Sequence, residues 1–236
     1  MKKQAVEFKV GKDTLRGSLF IPDGKGPFPG VIFFHGSGST GDTYFEAAER
    51  LAGNGILGFM FNFRGCGISD GDISEQTIGM GSEDAKVGLE YFMSINKLDK
   101  NRIGLAGSSF GGFHAALVSL DYDFKSIALI VPAAYSPSLM NMPLIDDQHV
   151  SRMEKDFEKS ESYQKIAKFK NKLLIVQSEQ DDVLPVGMVE KYLEVAKNAS
   201  KVEHLMLKDT KHRIKLFPKA KEILLEKLTS WFLETL

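Results

Sequence analysis

The feature that most constrains this chain is a series of short apolar runs, each followed by a segment of helical character. Gly30-Val31-Ile32-Phe33-Phe34 contains no polar side chain, and residues 58–63, 102–106, 126–131, 173–176 and 202–207 also read as strands. Strands buried on both faces lose the polar alternation of a half-wet strand, as those of parallel sheets do. Helices are predicted over 43–51, about 83–93, 112–118, 186–196 and 217–232. In the second of these, Ala85, Leu89 and Phe92 are spaced for a buried stripe. Strand alternating with helix predicts an α/β fold: a mostly parallel sheet covered on both faces. Residues 6–10 and 14–20 alternate around the turn Gly11-Lys12-Asp13 and predict an antiparallel pair at a sheet edge. From 132 to about 170 the alternation is interrupted by an irregular apolar stretch and then a charged, helical segment over 150–167. One domain over 1–236 with a small lid insertion at about 133–170 is the expected organisation.

Composition narrows the classes of function. The formal net charge is −1, so no electrostatic footprint for nucleic acid is present. A single cysteine, Cys66, cannot form an internal disulfide and fits a reducing compartment. Two lysines near the start are not followed by an apolar signal core, and no run approaches a membrane span. The expectation is a cytoplasmic protein that binds neither nucleic acid nor membrane, as a monomer or a homodimer.

The apolar run at 102–106 leads into Gly107-Ser108-Ser109-Phe110-Gly111 and then into a helical segment. Strand, G-x-S-x-G and helix in that order form a nucleophile elbow, a sharp turn that exposes a serine hydroxyl. Gly107 and Gly111 remove side chains that would collide there, and Gly112 lets the helix lie close to the sheet. A serine needs a base to take its proton, and the base needs an orienting acid; on this scaffold the chain order is serine, acid, histidine. Asp181 and Asp182 follow the strand at 173–176, and His212 follows the strand at 202–207. Ser109, one of the two aspartates and His212 therefore fall at the same edge of the sheet, where α/β folds bind ligands. Oxyanion donors are expected from the backbone N–H of Phe110 and, in the loop His35-Gly36-Ser37-Gly38, from that of Ser37. His204 falls mid-strand and His114 mid-helix, and both read as packing residues; Cys66 reads as a small buried side chain.

With those residues assembled, the chain resembles the α/β-hydrolase superfamily over essentially its whole length. The resemblance is carried by His35-Gly36-Ser37-Gly38, Arg64-Gly65-Cys66-Gly67-Ile68-Ser69, Gly107 to Gly112, Asp181-Asp182-Val183-Leu184-Pro185 and His212. It looks most like the small carboxylesterase and serine-aminopeptidase-like branch, which includes cinnamoyl and feruloyl esterases. That resemblance implies the α/β-hydrolase fold with an eight-stranded, mostly parallel sheet, and hydrolysis of an ester, thioester or amide with no cofactor and no metal. The family's G-x-x-D-x-x-V-P pattern selects Asp181 as the orienting acid, with Ser178 where the pattern has its glycine. Cys66 and Asn62 also depart from the family's usual residues, in a loop expected to buttress the site.

The implied activity is that of a serine hydrolase acting on a small-molecule carboxylic ester of small to medium acyl size, through a Ser109–His212–Asp181 triad and an acyl-enzyme. Tyr135, Met140, Met142 and Leu144, with Leu139 and Ile145, are expected either to line an apolar substrate pocket or to pack a small lid onto the core. A ligand-binding or signalling protein that has kept the hydrolase shell, and an acyltransferase, are the alternatives left open.

Overall fold

The apolar runs lie side by side in one eight-stranded sheet in the computed structural model of the chain, which describes residues 1–145 and 149–236. The strands are β1 (Lys2–Val10), β2 (Asp13–Ile21), β3 (Phe28–Phe34), β4 (Leu57–Phe61), β5 (Leu98–Ser108), β6 (Ser126–Ile130), β7 (Lys172–Ser178) and β8 (Lys201–Leu207). Their order is β1-β2-β4-β3-β5-β6-β7-β8, with β1 and β2 antiparallel at one edge and β3 through β8 parallel. This is the α/β-hydrolase fold. The helices are α1 (Phe45–Gly53), α2 (Ile78–Ser94), α3 (Phe110–Leu117), α4 (His149–Asp156), α5 (Glu161–Lys168), α6 (Met188–Val195) and α7 (Pro218–Thr235).

Register fixes what stands at the functional edge. Phe34 pairs with Gly107 across β3 and β5, Ser108 with Ile130 across β5 and β6, and Ile130 with Val176 across β6 and β7. The carboxyl ends of these strands are therefore level, and the loops leaving them open onto one crevice. Beneath it, Phe34, Phe59, Phe61, Phe63, Phe92 and Phe110 are almost wholly buried, with ring centroids 5.2 to 6.1 Å apart in the pairs Phe34–Phe61, Phe61–Phe63, Phe63–Phe110 and Phe59–Phe92.

Several elements extend beyond the apolar runs. β1 starts at Lys2 because it pairs with β2 through residues that face water, and edge pairing needs no apolar face. α2 starts five residues before the predicted helix, at Ile78, because the Thr77 side chain caps it by accepting the Met80 N–H. The helix expected over 150–167 is two helices. Ser160 ends the intervening turn and caps α5 through the Ser162 N–H, and residues 146–148 of the insertion lie outside those described.

The insertion is anchored at both ends. Its first part docks on the start of α2: Ile78 N–H donates to the Met142 carbonyl, Gly79 N–H to Met140, and Leu144 N–H to Gln76, at 3.2, 2.7 and 2.6 Å. Its last helix, α5, packs on α6. The Tyr163 hydroxyl donates to the Met188 carbonyl at 3.0 Å, and Ser162 Oγ lies 2.7 Å from the Tyr192 hydroxyl.

The loop after β4 is held to α2 through Arg64, which pairs with the buried Asp84 and with Glu83. Asp84 of α2 is fully buried and accepts from the Arg64 backbone N–H at 2.8 Å and from Arg64 Nε at 2.6 Å. Arg64 also reaches Glu83 and the Met80 carbonyl through Nη2, at 2.5 and 3.1 Å. Asp84→Ala therefore leaves the guanidinium, whose side chain is only 10% exposed, with the half-exposed Glu83 alone as counter-charge. It also leaves the Arg64 backbone N–H and Nε without their buried acceptor. A stability loss of about 3 kcal/mol or more is expected in urea unfolding. A loss below about 1 kcal/mol, the range of an exposed pair, would contradict that role.

Candidate active site

The elbow turns where the sequence places it. Ser109 sits at φ +51°, between β5 and α3, in backbone that a non-glycine residue rarely adopts. Its neighbours permit this: a Cβ on Gly107 would stand 2.3 Å from the Gly111 carbonyl oxygen, and one on Gly111 2.2 Å from the Phe34 carbonyl oxygen. The strained backbone is held from both sides. Ser109 N–H donates to the Ile130 carbonyl at 2.9 Å, and the Ser109 carbonyl accepts from Ala133 N–H at 3.1 Å. The chain reaches Ala133 through Val131, a β-branched residue at φ +38° whose N–H donates to the Val176 carbonyl at 2.8 Å.

Ser109, His212 and Asp181 come together. Ser109 Oγ lies 2.9 Å from His212 Nε2, and His212 Nδ1 lies 2.8 Å from Asp181 Oδ2. A carboxylate only accepts, so Nδ1 carries the proton and Nε2 offers its lone pair to the serine hydroxyl. The other oxygen of Asp181 accepts the N–H groups of Val183 and Leu184 at 3.0 and 2.9 Å, which fixes the carboxylate. Asp182 has a different place: it pairs with Lys211 and accepts the His212 backbone N–H at 3.3 Å. A serine hydroxyl bonded to an oriented imidazole can lose its proton as it attacks a carbonyl.

Of the two expected oxyanion donors, Phe110 directly follows Ser109 and Ser37 lies in the loop after β3. Phe110 opens α3, so its N–H has no acceptor within the helix. Ser37 is exposed in the loop after β3 and lines the same cavity as Ser109. His35 holds this loop as a neutral staple: its Nδ1–H donates to the Gly36 carbonyl at 2.8 Å, and its Nε2 accepts the Phe63 N–H at 3.0 Å. Burial pushes the His35 pKa down to about 4. Asn62 serves the same loop, accepting the Gly41 N–H at 2.7 Å. The Cys66 thiol is buried, and burial raises its pKa to about 11.

Of the two roles left open for the irregular apolar stretch, the cavity beside Ser109 favours packing over pocket lining. A cavity of about 300 Å³ opens beside Ser109, between the loop after β3, the end of β6 and one face of α7. Tyr135, Met140, Met142 and Leu144 are not among its lining residues, nor are Leu139 and Ile145. Tyr135 is buried against Phe113, ring centroids 4.8 Å apart. Met142 and Leu144 are buried and Met140 half-buried, in a segment whose backbone bonds to the start of α2 and the residue ahead of its cap. The cavity wall instead holds Ile130, Val131, Ile214, Leu224, Leu225 and Leu228. Of these, the leucines fall at helical spacing in α7, a signal that in sequence is indistinguishable from a core stripe. His204, expected in the core, is exposed on the edge strand β8 and bonds Gln177 Oε1 at 3.0 Å.

His114 is fully buried behind the elbow, 4.3 Å edge-on from Phe110 between ring centroids, with Nδ1 3.2 Å from Ser82 Oγ. Burial lowers its pKa to about 3. Both buried histidines bind protons more weakly folded than unfolded, so their contribution to stability is complete above about pH 6.5 and falls away as pH drops through that value. Each is expected to cost about 1.4 kcal/mol per pH unit between pH 6.5 and its folded pKa. His114→Phe should flatten the pH dependence of urea unfolding between pH 7 and 5 by one such slope. Parallel curves would show that His114 is not the group being titrated.

Comparison with known proteins bears on the whole arrangement. Residues 43–236 match the prolyl oligopeptidase family. Among characterised sequences, the quorum-quenching protein AidA of Acinetobacter baumannii is 34% identical over 116 residues, covering 46% of this chain and 36% of that protein. The chain thus spans about a third of the length of that relative, and 63% of the matched Mycobacterium tuberculosis proteins. Among solved structures, Est1E of Butyrivibrio proteoclasticus with ferulic acid bound superposes with a TM-score of 0.77 at 18% identity, covering 98% of both chains. The Pyrococcus furiosus esterase Pf2001 superposes with a TM-score of 0.70 at 22% identity, over 98% of this chain and 93% of that one. These likenesses establish the fold. No helix among the described residues is long and apolar enough to cross a membrane.

Proposed function

The chain belongs to the prolyl oligopeptidase family, and from that premise we propose that it is a serine hydrolase cleaving carboxylic esters of small to medium acyl size. The observation that carries the reading is the continuous line from Ser109 Oγ through His212 to Asp181, at 2.9 and 2.8 Å. Ser109 Oγ attacks the ester carbonyl while its proton passes to His212 Nε2. Asp181 holds the imidazole and stabilises its charged form. The N–H groups of Ser37 and Phe110 receive the oxyanion, as preorganised donors in a partly dry site. Collapse breaks the bond to the alcohol, which leaves with the proton from His212. Water then attacks the acyl-enzyme, gives a proton to His212, and the second collapse returns that proton to Ser109 and frees the acid.

An ester rather than a peptide with a free amino end is supported by the cavity wall. Among the described residues it carries no carboxylate that would anchor an ammonium group, and its body is apolar. A volume of about 300 Å³ stands at the small end of ligand pockets, in keeping with a modest acyl group.

Fluorophosphonate labelling of the wild type and its loss in Ser109→Ala is the test. With p-nitrophenyl esters of increasing acyl length, Ser109→Ala and His212→Ala should each lower kcat by roughly 10⁴-fold or more, and Asp181→Asn by roughly 10⁴-fold. Folded wild-type protein that neither labels nor turns over any ester would overturn the reading.

A further inference from the structure

The wall of the cavity beside Ser109 is asymmetric in charge. Arg213, Lys215 and Lys221 line it, and among the described residues no aspartate or glutamate does. The chain as a whole carries 30 basic and 31 acidic residues, so this balance is local. Lys221 pairs with Glu46, outside the cavity. Arg213 and Lys215 are exposed, and among the described residues neither has a carboxylate within ion-pair distance.

The apolar and charged parts are graded along one helix face. Lys221, Leu224, Leu225 and Leu228 follow the i, i+3, i+4, i+7 spacing of a single stripe on α7. Lys221 and Leu224, at the start of that stripe, are half-buried, and Leu225 and Leu228 are buried. Arg213 and Lys215 come from the turn that leads from His212 to α7, and their exposure puts them on the solvent side of the cavity wall. An arginine fork and a lysine ammonium on the solvent side of an apolar trough match a molecule with an apolar body and an anionic end.

Resting on the hydrolase reading above, we propose that the substrates are esters whose acyl chain is apolar along its length and ends in a carboxylate, held on the solvent side by Arg213 and Lys215. In chemical class these are hemi-esters of medium-chain dicarboxylic acids. The apolar segment lies along Leu224, Leu225 and Leu228, and the free carboxylate stays in partial contact with water, which avoids the cost of burying a charge. Because the cations are exposed, the attraction is screened by salt.

The test compares mono-p-nitrophenyl esters of adipate, suberate and sebacate with the same compounds capped as methyl esters, which differ only in the terminal charge. At low salt the wild type should favour the charged ester by about five-fold in kcat/KM at the chain length that spans the trough. The preference should shrink as the Debye length falls from about 30 Å to about 8 Å between ~0.01 M and ~0.15 M salt. The Arg213→Gln/Lys215→Gln double variant should bring the ratio to one or below. The ratio is taken on one preparation, so any unfolded fraction cancels. Equal rates on both members of each pair, a preference for the methyl esters, or a ratio that survives the double variant would overturn the proposal while leaving the hydrolase reading intact. Absence of turnover on every ester, with Ser109 unlabelled, would remove the hydrolase reading and this proposal with it.

Discussion

The position of the Ser109 hydroxyl depends on a backbone clamp between two adjacent parallel strands. Ser109 occupies a positive φ that costs free energy, and so does Val131, at the end of the adjacent strand. Residues held in such regions cost of order 1–3 kcal/mol each, and they persist only where surrounding structure over-determines them. Here the surroundings are the ladder itself. Ile130 accepts from Ser109 N–H, Ala133 N–H returns to the Ser109 carbonyl, and Val131 N–H is held by Val176. The turn at Val131 is what brings Ala133 back over the elbow, so the two strained residues support one geometry. The register of β5, β6 and β7 thereby sets where a nucleophile would stand.

A second constraint is the separation of the histidines by environment. His35 and His114 are wholly buried and kept neutral, His35 by donating to Gly36 and accepting from Phe63, His114 among Phe63, Phe110 and Phe113. Neither has a carboxylate partner among the described residues, and burial without one is what depresses both. His212 has its carboxylate and lines the cavity. Of these three histidines only His212 lines the cavity, and His35 and His114 are held in the interior. The Arg64–Asp84 pair completes the support by fixing the loop after β4 to α2.

The sheet and the meeting of Ser109, Asp181 and His212 are legible in the sequence because burial on both faces writes itself as apolar runs, and because each polar loop follows one of them. Elements whose cause is not burial are harder to read. β1 is exposed over most of its length and pairs through its backbone, and α2 begins among glycines that obscure its periodicity until the Thr77 cap is seen. The pocket is the clearest case. The irregular apolar stretch around Met140 and the stripe at Leu224, Leu225 and Leu228 look alike as composition, and only the tertiary placement of α7 shows which faces Ser109. The strain at Val131 leaves no trace at all, since valine is a residue that composition would assign to an ordinary strand.

The most direct measurement is to quench the protein during turnover of a p-nitrophenyl ester, digest it, and locate the acyl adduct by mass spectrometry. A covalent intermediate at Ser109 predicts one acyl mass on the peptide containing that residue, at up to one adduct per chain and absent from Ser109→Ala. Undiminished turnover by Ser109→Ala, or an adduct confined to another residue, would contradict it.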